Sequence, residues 1–176
     1  MVEKKALVVD GDGHILEPRD LWEKRLAPSY RQHAIRVVWD PQTRHEQTLI
    51  GDTVVLPRGE VLAGFARRPV IARGQGARWE ELAPGGLDPH ERIKELDREG
   101  IAAAVLYPTQ GLVLPSLYDA EVAAASCRVY NDWLAEFCHP YPKRLIGASA
   151  VPLQDTKAAA REARRAVEKL VCAPSS

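Results

Sequence analysis

The apolar run Ala6-Leu7-Val8-Val9 breaks off into Asp10-Gly11-Asp12-Gly13-His14-Ile15-Leu16-Glu17, with Pro18 just beyond. A run this short has strand length, and its unbroken apolarity is that of a strand buried on both faces of a parallel sheet. Such a strand delivers polar side chains at its carboxyl end, where the open face of a β/α barrel collects them. Side chains two apart on a strand share a face, so a strand running through the motif points Asp10, Asp12 and His14 the same way. Carboxylates and an imidazole converging on one point form a donor set for a divalent metal, suiting Zn or Mn. An EF-hand loop also opens with Asp-x-Asp, but it needs Asp or Asn, then Gly, where this chain has His14 and Ile15.

Alternation of elements governs the rest of the chain. Residues 6–14 read as the first strand, followed by an excursion from about 15 to 87. Within it, Ala34–Trp39 and Glu46–Ile50 flank the turn-forming Asp40-Pro41-Gln42-Thr43, the pattern of a hairpin, and Thr53–Leu56 adds a third short strand. The Gly-, Pro- and Arg-rich stretch from Pro57 to Gly86 reads mostly as loop. Asp88 then caps a helix, with Pro89 in its first turn, Glu91 at the capping-box position, Ile93 and Leu96 as the buried stripe, and Gly100 as its stop. A buried strand over 101–107 follows, then a helix from Asp119 to about His139 with Val122, Ser126, Val129, Trp133 and Phe137 on one face. Another strand covers 145–151, and Asp155 caps a last helix with Ala159, Ala163, Ala166, Val167 and Leu170 inward. Strand and helix in alternation imply an α/β fold with a parallel sheet.

Composition excludes several classes. The 24 Lys and Arg balance the 24 Asp and Glu, so the chain carries no electrostatic footprint for nucleic acid. No apolar run approaches the roughly 20 residues that span a bilayer, and the N-terminus runs into a strand without a signal-peptide core, so a cytoplasmic protein is expected. Cys127 and Cys138 lie about 16 Å apart along one helix, too far to pair, and the thiols read as buried. No Gly-x-Ser-x-Gly elbow and no phosphate loop occur. Arg58, Arg67, Arg68, Arg73 and Arg78 make the excursion locally basic, which suits a solvated loop, a substrate carboxylate or a partner subunit.

The opening motif with Trp22 and Tyr30-Arg31, the helix-to-strand segment Arg92–Thr109, and Tyr130-Asn131-Asp132-Trp133 followed by Pro142–Gly147 and Val151–Asp155 resemble the amidohydrolase-related family. The similar branch contains aminocarboxymuconate-semialdehyde decarboxylase-like hydrolases and decarboxylases. The resemblance implies a (β/α)8 TIM-type barrel with a metal at the carboxyl ends of its strands. It places two metal ligands on Asp12 and His14, takes a divalent metal such as Zn or Mn as cofactor, and implies hydrolysis or non-oxidative decarboxylation of a small carboxylated substrate. Asp10 then reads as a group bonding the backbone or supporting the ligands, and Glu17 as either a neighbour of the site or a loop anchor. A homo-oligomer is compatible with these features.

A barrel of this class needs about 250 residues or more. This chain of 176 offers about three N-terminal β/α units and the excursion. The sequence therefore reads as an incomplete barrel, with residues 1–170 its N-terminal portion and 171–176 an atypical, truncated tail that a premature stop or frameshift would explain. The remaining ligands, which the family draws from later strands, have no counterpart, although His33 and His45 of the excursion lie on the appropriate side. The chain is then a metal-dependent enzyme truncated and inactive alone, or a non-catalytic remnant or interaction module that requires a partner chain.

Overall fold

In the computed structural model, which describes residues 7–56 and 78–171, the chain forms two sheets. The first is parallel, in the order β1 (Val9–His14), β5 (Ala103–Tyr107), β6 (Leu145–Gly147). The second lies in the excursion and is antiparallel: β2 (Ile35–Asp40), β3 (His45–Ile50) and β4 (Thr53–Leu56). Helix α1 (Leu21–Arg25) precedes it. Helix α2 (Pro89–Glu99) leads into β5, α3 (Ala120–Cys138) connects β5 to β6, and α4 (Thr156–Arg165) follows β6, its last turns widening to π-helix over Ala166–Val171. Among the described residues no helix is long and apolar enough to cross a membrane.

Local chemistry sets these boundaries. The Asp88 carboxylate accepts the N–H groups of His90 and Glu91, Pro89 supplies a preset φ, and Gly100 stops α2 at φ 71°. The Glu91 side chain does not close a capping box; it pairs with Lys94 one turn on. Asp119 and Asp155 cap α3 and α4 in the same way as Asp88. The β2–β3 turn is held by Asp40, which accepts from Gln42 N–H and Thr43 Oγ1, and Arg44 takes the left-handed φ of 59°.

The parallel sheet has one covered and one open face. Ala104, Leu106 and Leu145 are buried against Ile93 and Leu96 of α2 and against Ala123, Tyr130, Leu134 and Phe137 of α3. Gly147 allows this closeness: a Cβ there would stand 2.7 Å from Leu134 Cγ. On the opposite face Val9, Tyr107 and Ile146 are 49%, 38% and 43% exposed. Trp22 of α1 is buried and donates its Nε1–H to the Ser126 carbonyl, tying the start of the excursion to α3.

The first strand starts at Val9 rather than residue 6, with Leu7, Val8 and Val9 exposed rather than buried, and β5 starts at Ala103 rather than 101. Besides these and the Glu91 capping box, three sequence expectations change. Strand β6 ends at Gly147 rather than 151, because the backbone of Ala150 is bonded by the Asn131 side chain instead of a strand. In α4, Ala163 and Val167 face solvent, while Glu162 and Ala166 are buried; Asn131 and Arg165 satisfy the Glu162 carboxylate there. The third concerns β1. Its pairing with β5 slips between Asp10 and Gly13, a bulge that inserts one residue. Asp10 pairs with Ala104 and Gly13 with Leu106, both on the helix-covered face, so Asp10 is turned away from Asp12 and His14. Arg58, Arg67, Arg68, Arg73, Cys172 and the 172–176 part of the tail lie outside the described residues.

Candidate metal centre

The bulge builds the site. Strand β1 presents Asp12 and His14 on the open face at its carboxyl end, beside Tyr107 and Pro108 from β5 and the segment Ala148–Ala150 that follows β6. These residues and Leu112 line a cavity of about 400 Å³. A second cavity of about 500 Å³ shares Asp12, His14 and Leu112 and continues past Gly13 to Asp10, Thr109, Arg92 and Glu95. Gly13 admits this neighbourhood: a Cβ there would stand 2.9 Å from Asp10 Oδ2 and 3.0 Å from both Arg92 Nη2 and the Val105 carbonyl oxygen. Asp10 Oδ1 accepts the Asp12 N–H at 3.0 Å, which shapes the bulge from inside the motif.

His14 is oriented from the neighbouring strand. Its Nδ1 lies 2.8 Å from the Pro108 carbonyl oxygen, with Thr109 Oγ1 at 3.5 Å. A carbonyl only accepts, so Nδ1 carries the proton and the Nε2 lone pair is left for a ligand. An imidazole with its second nitrogen donated to a carbonyl is the arrangement that metal-binding histidines adopt. Asp12, exposed and on the same face, adds carboxylate oxygens. The donor set fits two positions of a Zn or Mn site. Among the described residues no group of three His, Cys, Asp or Glu side chains forms a complete metal site.

The other candidates stand elsewhere. His33 is exposed and bonded to Gln32, and His45 opens β3; neither lines the two cavities. His90 meets the Tyr141 hydroxyl, and His139 caps α3 in solvent. Arg78 lies over the Trp39 ring at 4.2 Å. Burial pushes the Cys127 and Cys138 thiols up to about 12, which removes them as nucleophiles.

Glu17 resolves as a loop anchor. It is fully buried and accepts N–H bonds from Thr109, Gln110 and Gly111 at 3.2, 2.8 and 2.9 Å. Burial pushes its carboxyl up to about 7 against the pull of these donors. Pro108 orients His14 through its backbone carbonyl, which no side-chain chemistry announces; its position at the end of β5, within the Arg92–Thr109 segment of the resemblance, was the available signal.

The family model described as Amidohydrolase matches residues 9–173. The gamma-resorcylate decarboxylase of Rhodococcus jostii (strain RHA1) is 38% identical over 96 residues, which cover 54% of this chain and 29% of that protein. The crystal structure of an amidohydrolase from Mycobacterium avium subsp. paratuberculosis K-10 superposes with a TM-score of 0.66 at 23% identity, over 92% of this chain and 46% of that one. The 5-carboxyvanillate decarboxylase of Novosphingobium aromaticivorans, complexed with manganese and 4-hydroxy-3-methoxy-5-nitrobenzoic acid, gives a TM-score of 0.53 at 22% identity, over 96% of this chain and 40% of that one. The chain thus spans less than half the length of the proteins it matches. With the family match extending over nearly its whole length, the chain belongs to the amidohydrolase family.

Proposed function

We propose that this chain is the N-terminal portion, residues 1–170, of a metal-dependent amidohydrolase-family enzyme that decarboxylates a small aromatic carboxylate, and that Asp12 and His14 are two of its metal ligands. In this reading the parallel sheet is the first three β/α units of an incomplete barrel, 171–176 is an atypical tail, and the remaining ligands come from strands beyond these three. The observation that carries it is the His14 Nδ1 to Pro108 carbonyl bond of 2.8 Å, which leaves Nε2 as a free donor beside Asp12 in one cavity. The names of the relatives favour decarboxylation over hydrolysis.

A divalent metal held there would stabilise the negative charge that develops on the substrate as CO2 leaves. The chain's own residues supply position and environment. Pro108 fixes the His14 ring, and Asp10 holds the Asp12 backbone. Leu112, Pro108, Ala148 and Ala150 give the cavity an apolar wall that suits an aromatic ring and limits water, while Ser149 adds a hydroxyl.

Elemental analysis of purified, dialysed protein tests this, alongside Asp12→Ala and His14→Ala variants. Zn or Mn bound by the wild type and lost from both variants is expected. Equal metal content in the wild type and both variants would overturn the ligand assignment.

A further inference from the structure

Glu17 is not a ligand in the reading above, yet its carboxylate is fully buried beside the site. Its Oε2 accepts the N–H groups of Thr109 and Gln110, and its Oε1 accepts that of Gly111. These amides follow directly on Pro108, whose carbonyl holds His14 Nδ1. One residue earlier, the Tyr107 carbonyl accepts the Ile15 N–H at 3.1 Å. Two short segments, 14–17 and 107–111, are therefore laced together by consecutive bonds, with His14 at one end and Glu17 at the other. The fit is close: a Cβ at Gly111 would stand 3.0 Å from Glu17 Oε1 and 2.8 Å from the Pro108 Cβ.

We propose that Glu17 is a positioning residue for the candidate metal centre: by gathering the N–H groups of Thr109, Gln110 and Gly111 it fixes the Pro108 carbonyl, which holds His14 in the tautomer that presents Nε2. The proposal rests on the reading of His14 as a ligand. The three N–H donors are shared between both oxygens of the carboxyl group, whereas a carboxamide offers a single oxygen and would turn an NH2 group toward the remaining donor. A buried amide that loses its acceptor draws the chain toward another one. The turn then moves, the Pro108 oxygen leaves His14, and the imidazole is free to carry its proton on either nitrogen. Supporting residues of this kind are typically worth 10–100-fold in metal affinity.

The test uses the full chain as wild type, Glu17→Gln and Gly111→Ala, the last leaving the carboxylate in place but pushing a methyl group against it. Long-range proton–nitrogen NMR of the metal-free protein reads the His14 tautomer, and titration with Zn2+ alone reads affinity. The wild type is expected to hold the proton on Nδ1. Both variants are expected to mix the two tautomers and to weaken Zn2+ binding by about 10-fold or more. A folded variant with the Nδ1 tautomer intact and affinity unchanged overturns the proposal; so does loss of the fold in both variants, which would assign Glu17 to stability alone. If the wild type takes up no metal, the ligand reading of Asp12 and His14 fails, while the tautomer comparison still decides what Glu17 does to His14.

Discussion

The Asn131 side chain grips the backbone of Ala150 from both sides, accepting its N–H at 2.8 Å and donating to its carbonyl at 2.9 Å. A residue in the middle of α3 thereby replaces the strand partner that the segment after β6 lacks, and it holds one wall of the cavity in place. The same amide donates to Glu162 of α4 at 2.7 Å, so a single buried side chain joins α3, the end of β6 and α4.

Asn131→Ala should therefore cost about 1–3 kcal/mol, because it leaves the part-buried N–H and carbonyl of Ala150 without their partner and takes one bond from Glu162, which keeps Arg165. Asn131→Asp should cost more, since it sets a second carboxylate against Glu162. Urea denaturation at constant m-value measures both. A loss below about 0.5 kcal/mol for the alanine variant, the range of ordinary surface changes, would show that the clamp is not a stabilising contact.

Glu17 makes stability depend on pH in a defined direction. Its carboxyl rises from 4.5 to about 7 on folding, so the native state binds more protons than the unfolded chain between those values. The contribution is fully present below pH 4.5 and is lost as the pH climbs through 7, amounting to about 3 kcal/mol. Thermal unfolding of wild type and Glu17→Gln from pH 5 to pH 8 should show the difference in Tm between them narrowing toward alkaline pH. A constant difference across that range would remove Glu17 as its source.

The end of β6 offers a packing test. A Cβ at Gly147 would meet Leu134 Cδ2 and Cγ at 2.7 Å, inside a part of the core with no slack. Gly147→Ala should destabilise by about 1–3 kcal/mol. Adding Leu134→Ala should recover part of that, giving a coupling of about 0.5–3 kcal/mol in a double-mutant cycle. Strict additivity of the two changes would place the strain elsewhere.

The contrast between what the sequence disclosed and what it hid follows from range. Asp88 and Asp155 were legible as caps because each bonds amides two and three residues on, a property of the local chain. The β2–β3 turn was legible for the same reason, through Asp40. Glu162 was not, since its burial depends on Asn131, 31 residues away. Asp12 and His14 stood out by residue type, and the resemblance placed ligands on them. The turning of Asp10 lay beyond reach, because a bulge is a mismatch between β1 and β5 and neither strand records it alone. Pro108 was hidden more deeply still, as it acts through a carbonyl that every residue possesses.

That turning of Asp10 yields the last prediction. Three residues of the motif, Asp10, Asp12 and His14, are spaced as ligands on a regular strand, yet the bulge leaves Asp10 on the helix-covered face with Gly13 and Ala104. Its Oδ1 accepts the Asp12 N–H instead. An asparagine keeps that acceptor oxygen while removing the charge. Asp10→Asn should consequently retain metal to within about threefold of wild type, whereas Asp12→Asn should weaken binding by about 10-fold or more, the lower end of what even supporting residues contribute. Zn2+ or Mn2+ titration of the two variants separates the roles. If Asp10→Asn empties the site as thoroughly as Asp12→Asn does, Asp10 reaches the metal and β1 must run without its bulge in the metal-bound protein.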